Sequence, residues 1–331
     1  MPTIEQVALL AKVSVATVSR VINNSAYVSD DTRQRVNDAI ERLNYQPNAL
    51  GKMLRKESTQ LILVLLHSVD NPFFSKIIQG IEEVAHQHQY NVIICNTYGD
   101  LDREQHYLNM LKNHLVDGAI FISNTTSVKD MEWLEKHYPI AQVVEYYHDC
   151  SSAYFSIDFY KASTDMMNIL LNAGHKHIGF VHTGSSSIIS AQEKFRAYVD
   201  SLQQKQLPLY SVYPTEVLFG FSEAKAQAEY LLNKHPEITA FFSTSDMLAA
   251  GIIDELLVRG HSIPEDAMVT GFDNTDYSII STPMITTVEL NSFDLGSKAM
   301  EYLLRKISDK KTEPEYYFGD YRIVHRTSTK K

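Results

Sequence analysis

The chain has 331 residues, 44% of them hydrophobic and 21% charged, with a net charge of −10 and two cysteines. That length admits two or three domains with substantial cores, and the cysteine pair, Cys95 and Cys150 at no metal-binding spacing, excludes a disulfide framework. No apolar run approaches the roughly 18 residues of a membrane span. The opening Met1-Pro2-Thr3-Ile4-Glu5 lacks the basic start and apolar run of a signal peptide, so a cytoplasmic protein with no membrane partner is expected. An acidic total argues against nucleic acid, but the charge is unevenly placed. Residues 1–60 carry eight Lys or Arg against six Asp or Glu, which leaves the acidic excess downstream. A basic head on an acidic body suits a small module that touches phosphates.

In chain order, Ile4, Val7, Ala8 and Ala11 form one apolar stripe of a short helix, which Lys12-Val13 interrupts. Ser14 is a good N-cap for a second helix with Val18, Val21 and Ile22 facing inward. Two short helices joined by a tight turn fit the DNA major groove, where the first residues of the second helix meet base edges. Here those are Val15, Ala16, Thr17 and, a turn later, Arg20. A small apolar side chain can touch a thymine methyl, and an arginine can bond guanine in a bidentate way. Taken by itself the segment is also compatible with a plain helical hairpin on a larger domain.

After a loop at 23–27, Ser29-Asp30-Asp31 starts a capped third helix with a stripe of Val36, Ala39, Ile40 and Leu43. Asn44-Tyr45-Gln46-Pro47 ends it, because a residue before proline leaves the helical region. Residues 48–56 are basic and carry Leu50, Met53 and Leu54 with no packing partner in their own segment, a linker on composition alone.

From Leu61 the pattern changes to short apolar runs separated by helical stretches. Strands are expected at 61–66, 92–95, 118–122 and 142–144, and again at 178–181, 240–242 and 268–272, with helices near 74–89, 102–114, 128–136, 161–172, 191–205, 223–233 and 247–259. Continuous apolar strands alternating with helices imply parallel sheets covered on both faces. The expected fold class is therefore an all-α helix-turn-helix head followed by an α/β core of two doubly wound parallel-sheet lobes. Ligands of such sheets bind at strand ends, and a cleft between two lobes is a natural pocket.

An enzyme is the rival class. None of the thirteen glycines forms G-x-G-x-x-G, G-x-x-x-x-G-K or G-x-S-x-G, so the loops of a dehydrogenase, NTPase or serine hydrolase are missing, and no catalytic residue is nominated. The histidine pairs His86/His88 and His175/His177 are spaced by two, which on a helix points them to different faces, so no metal site and no cofactor is expected.

Three segments, Ile4-Glu5-Gln6-Val7-Ala8, the run from Val13 to Asn23 and Tyr27-Val28-Ser29, resemble the N-terminal signature of the lactose-repressor/galactose-repressor family of bacterial regulators. The resemblance implies a DNA-binding domain at 1–46, a hinge at 47–59 and an effector-binding and dimerisation core at 60–331. The core would be periplasmic-binding-protein-like, with one lobe at about 60–158 and 291–316 and the other at about 159–290 and 317–331. Val288-Glu289-Leu290 and the helix of Leu295 to Ile307 would return to the first lobe. DNA contacts would fall on Thr3, Ser14, Val15, Ala16, Thr17, Ser19, Arg20, Asn23, Tyr45, Asn48, Ala49, Lys52, Leu54 and Arg55. Leu54 matches the residue that the family's hinge helix inserts into the minor groove, a wedge that trades unstacking for a bent duplex. Gly51 stands where the family usually has alanine, and glycine costs a helix about 1 kcal/mol relative to alanine.

For the pocket, the resemblance nominates Asn71, Phe73, Phe74, Lys194, Phe219, Asp246 and Asp273. Lys194 occupies a position where the family commonly has arginine, and Asp158-Phe159 stands where Asp-Asn is usual, so no effector identity is carried over. The implied protein is a transcriptional regulator, usually a repressor in this family, that binds a palindromic operator as a homodimer under control of a small effector, a sugar or related metabolite. A ligand-binding module without a regulatory role is the alternative, and it leaves residues 1–56 unexplained. The last residues, Arg326 to Lys331, show no heptad tail of the kind a tetramer would use.

Overall fold

The computed structural model describes residues 2–46, 58–182, 188–211 and 220–330, and the chain divides into two compact units, Met1–Thr59 and Gln60–Lys331. The first unit contains α1 (Ile4–Ala11), α2 (Val15–Asn23) and α3 (Asp30–Leu43). Each boundary has a local cause. Thr3 and Gln6 form a reciprocal capping box, and Ser14 Oγ accepts from the Thr17 amide at 3.2 Å. Lys12, Asn24 and Asn44, at φ of 53°, 45° and 46°, close the three helices with left-handed residues. Ser29 departs from expectation, because its hydroxyl donates to Thr32 Oγ1 at 3.0 Å and caps no backbone amide of α3.

Val7, Ala8, Ala11, Val18, Val21, Val36 and Ala39 are buried in this unit, with Ile4, Ile22, Ile40, Leu43 and Tyr45 packed around them. The side chains are small, so fixed helix ends matter as much as apolar area here. Arg35 reinforces them by donating to the Ala11 carbonyl at 3.2 Å, at the C-terminal end of α1.

The second unit begins with β1 (Leu61–Leu66), α4 (Pro72–Gln87), β2 (Asn91–Asn96), α5 (Leu101–Lys112), β3 (Gly118–Phe121), α6 (Val128–His137), β4 (Ile140–Val143) and β5 (Tyr154–Ser156). There follow α7 (Phe159–Asn172), β6 (Ile178–Val181), α8 (Ile189–Gln203), β7 (Tyr210–Ser211), α9 (Phe221–Lys234), β8 (Ala240–Ser243), α10 (Asp246–Val258), β9 (Met268–Thr270) and the short α11 (Tyr277–Ile280). The chain finishes with β10 (Thr287–Leu290), α12 (Ser292–Ser308), β11 (Tyr316–Phe318) and β12 (Tyr321–Val324).

A six-stranded sheet in the order β11-β5-β4-β3-β1-β2 forms one lobe, and a four-stranded sheet, β7-β6-β8-β9, forms the other. Every pairing in both is parallel. Strand β1 shows why its apolar run is continuous: Ile62, Val64 and Leu66 enter one buried cluster and Leu63 and Leu65 another, on the opposite face. The first of these clusters extends through Phe159 to Phe180, Phe242 and Val288, so one hydrophobic core runs across both lobes.

Sequence patterning missed β5, β7, β11 and β12, which are only two to four residues long. It also misassigned Val288-Glu289-Leu290. That segment is β10, which pairs antiparallel with β12 and joins the edge of the second sheet, through a Thr270–Thr286 bridge and an Asp273 N–H to Val288 O bond of 2.9 Å. His175 and His177 lie between α7 and β6 instead of on a helix, and they bond Thr239 and Tyr210. No helix among the described residues is long and apolar enough to cross a membrane.

Helices α4 and α12 approach through glycine. A methyl group on Gly296 would lie 2.1 Å from the Ile77 carbonyl oxygen, and one on Gly80 would lie 2.1 Å from that of Phe293. Backbone cannot yield as a side chain tip can. Gly296→Ala should therefore destabilise the core by about 1–3 kcal/mol despite alanine's better helix propensity; urea unfolding that showed an equal or more stable variant would contradict this packing.

Candidate functional site

On the three-helix unit, Val18 and Val21 turn inward, which leaves Ser14, Val15, Ala16 and Arg20 exposed along the start of α2 and one turn beyond. Val15 is 40% exposed, an apolar side chain the core does not use. Arg20 forms no ion pair among the described residues, so its guanidinium is available. Several nominated DNA contacts also have local duties: Thr3 and Ser14 cap helices, Ser14 Oγ lies 2.9 Å from Thr17 Oγ1, and Asn23 Nδ2 donates to Ser19 O and Oγ at 2.8 and 3.2 Å. Such bonds hold the exposed side chains in place. Tyr45 is half-buried against the head core. Asn48, Ala49, Lys52, Leu54 and Arg55 fall outside the described residues.

In the second unit, the C-terminal ends of β4, β8 and β9 and the starts of α4, α8 and α10 hold a set of charged groups. Asn71 caps α4 by accepting from the Phe73 amide at 3.1 Å. Asn71 and Pro72 face Ser245, Asp246, Met247, Asp273, Thr275 and Tyr277 of the other lobe across a space closed to a water-sized sphere. A ligand there requires the two walls to part. Phe73 differs from expectation: it is buried in the hydrophobic core, with Phe74 half-buried and its ring 5.6 Å away. Phe219 lies outside the described residues.

Asp246, the first residue of α10, is completely buried. Its Oδ2 accepts from the Thr275 amide at 2.7 Å and from Thr275 Oγ1 at 3.1 Å, the Thr287 hydroxyl also acts on the carboxyl, and Oδ1 makes no hydrogen bond within 3.5 Å among the described residues. Gly271 makes room for it, since a Cβ there would stand 2.4 Å from that oxygen. Burial, and then repulsion by Asp273, push the Asp246 carboxyl up to about 7. Asp273 follows β9 in a left-handed conformation, φ 94°, and burial raises it to about 6 although Lys194 pulls the other way.

Lys194 on α8 is buried, donates to the Thr244 carbonyl at 3.0 Å, and stands 3.8 Å from the Phe272 ring centroid and 5.3 Å from that of Phe159. Burial lowers its pKa, opposed by Asp273, Glu145 and Asp246. It makes no ion pair within 4.0 Å among the described residues.

Glu145 is the member that sequence inspection missed. It is buried just after β4, accepts from the Ser190 amide at 3.1 Å and from the Ser190 hydroxyl, and burial raises its pKa. A carboxylate directly behind Val143-Val144, at the C-terminal end of a parallel strand, was a usable signal. A second cavity, of about 260 Å³, lies beside this cluster, lined by Tyr146, His148, Asp158, Phe159, Glu193, Arg196 and Phe318 among others. Among the described residues no cluster of side chains suits a metal ion.

A profile described as bacterial regulatory proteins, lacI family, matches residues 3–48, and one for periplasmic binding proteins and the sugar-binding domain of the LacI family matches residues 59–324. The chain belongs to the LacI family. Among LacI-family relatives it is 33% identical over 331 residues to catabolite control protein A of Priestia megaterium, covering 99% of both chains. It is 32% identical over 333 residues to the transcriptional repressor PurR of Aliivibrio salmonicida, covering all of both. Among solved structures, a Lac repressor bound to operator and an anti-inducer shares the fold, with a TM-score of 0.86 over 99% of both chains at 23% identity.

The raised carboxyls make core stability pH-dependent. Asp246 ionises near 3.8 in an unfolded chain and near 7 in the fold, so between those values the folded state holds a proton that the unfolded state has lost. Stability from this group is full below about pH 4 and declines as pH rises through about 7. Buried Glu135, also raised to about 7, acts in the same direction. Asp246→Asn should flatten the fall in melting temperature between pH 5 and 7.5 without abolishing it; an unchanged slope would show that Asp246 is ionised throughout.

Proposed function

We propose that this LacI-family protein is a cytoplasmic transcriptional repressor without enzymatic activity. Two heads of a homodimer bind a near-palindromic operator, and a small effector in the cleft between the core lobes controls occupancy. The observation that carries this reading is the pairing, in one chain, of an exposed Ser14-Val15-Ala16-Arg20 surface on a capped second helix with a buried cleft holding an unpaired carboxylate oxygen on Asp246. A head of this size reads one half-site, so two must be held about one helical turn, roughly 34–36 Å, apart. That requirement supports dimerisation through the core.

Thr3, Ser14, Thr17, Ser19 and Asn23 suit phosphate and sugar contacts that set register, whereas Val15, Ala16 and Arg20 suit base edges. Asn71, Phe74, Lys194, Asp246 and Asp273 suit the effector, with Glu145 added. Coupling needs only that the effector favour one arrangement of the lobes over another. The relatives include a ribose operon repressor of Halalkalibacterium halodurans, 31% identical over 331 residues, and a Lactobacillus casei family member solved with glucose, 26% identical, which favour a polyhydroxylated ligand.

Retention of specific genomic fragments over competitor DNA at moderate salt tests the regulator, and its absence would refute it. In selection from randomised operators, Arg20→Ala should cost about 1–3 kcal/mol and relax preference at one base pair per half-site. Unaltered base preference in that variant would mean that α2 does not read the groove through Arg20.

A further inference from the structure

We propose that the cleft takes an effector bearing an ammonium group, an amino sugar or similarly aminated polyol, seated against Asp246 and Asp273. This rests on the cleft being the effector site, as proposed above, and adds the chemical class of ligand.

Charge around the cleft is unbalanced. Glu145, Asp246 and Asp273 are three carboxylates, and among the described residues the cation that acts on them is Lys194. Glu145 is satisfied by Ser190, and Lys194 directs its ammonium to the Thr244 carbonyl and the Phe272 ring. Thr275 and the Thr287 hydroxyl act on the Asp246 carboxyl, whose Oδ1 faces Gly271 with no hydrogen bond within 3.5 Å, and the half-buried Asp273 side chain makes neither a hydrogen bond nor an ion pair among the described residues. Both aspartates line the same closed space, with Thr275, Tyr277 and Asn71 as neutral neighbours. The undescribed segments 183–187 and 212–219 contain no lysine or arginine, only Glu216 as a charged residue.

Helix ends do not close the gap. The start of α10 offers roughly half a positive charge, and Asp246 in its first turn already faces it. Carboxylates short of cations hold protons to higher pH, the direction in which Asp246 and Asp273 are both shifted. A neutral polyol can donate hydroxyls to them but leaves the excess charge in place. An ammonium group supplies donors and charge together, so it can displace those protons.

The test uses the full-length protein in isothermal titration with glucose, glucosamine and N-acetylglucosamine, and with the matching galactose series, at pH 5 and pH 7. N-acetylation keeps the nitrogen and removes its charge. The expected result is that an amino sugar binds about tenfold or more tightly than both neutral counterparts at pH 7. The preference should narrow at pH 5, where the aspartates hold protons. Binding at pH 7 should release protons, seen as a heat that depends on the buffer's ionisation enthalpy. Asp246→Asn and Asp273→Asn should each reduce the amine-to-neutral ratio; the amide that replaces the Asp246 carboxyl imitates its uncharged form, so the fold is kept, and the melting temperature verifies this. The proposal is overturned if neutral sugars bind as tightly as their amines, if no amino sugar binds, or if the ratio survives both substitutions. Operator retention in a gel shift, measured without sugar, is independent: a protein that holds operator but prefers neutral sugars loses this inference and keeps the regulator.

Discussion

Taking a carboxylate out of water is costly unless charge or hydrogen bonds replace the solvent, and the core of this protein does it at Glu145 and Asp246, with half-buried Asp273 beside them. Glu145, Asp246 and Asp273 project from the ends of strands belonging to both sheets, so the electrostatic state of the cluster depends on how the lobes meet. Anything that changes the charge there changes the energy of that arrangement. In the proposed regulator, a ligand that binds the cluster and favours one arrangement of the lobes has the one property an effector needs.

The surrounding framework keeps the cluster in position. Gly80 and Gly296 allow α4 and α12 to touch at the backbone, and α12 also covers β3, β4 and β5 of the first sheet. Because Asn71 caps α4, this packing fixes one wall of the cleft. The other wall is fixed by Gly271, which admits the Asp246 carboxylate, and by the Asp273-Asn274 pair, at φ of 94° and 50°, which turns the chain back toward Thr275. Elsewhere in the first lobe, fully buried Glu104 of α5 ties down the segment after β3 by accepting from the amides of Thr125 and Thr126 at 2.7 Å each.

Local signals in the sequence carried a large part of this. The helix cap at Ser14, the stripe of Val7, Ala8 and Ala11, and the unbroken run of Leu61–Leu66 act within a few residues, so pattern alone located the head and the parallel strands. What escaped notice depends on distant partners. Strands β5, β7, β11 and β12 are too short to show a period, and they exist because a neighbouring strand or crossing offers hydrogen bonds. β10 was misassigned because its four residues carry no mark of which sheet they join. Phe73 looked like a pocket aromatic, and the packing of α4 on the sheet buried it. Glu145 was overlooked because its partner Ser190 lies 45 residues away.

In the proposed regulator the cleft and the DNA-reading head share one equilibrium. Thermodynamic reciprocity offers the most direct test. For an effector identified by titration, the factor by which it changes operator affinity is measured alongside the factor by which operator changes effector affinity, at one salt concentration, because phosphate contacts make affinity salt-dependent. A shared equilibrium gives two equal factors that differ from one. An effector that fills the cleft and leaves operator affinity unchanged would contradict it.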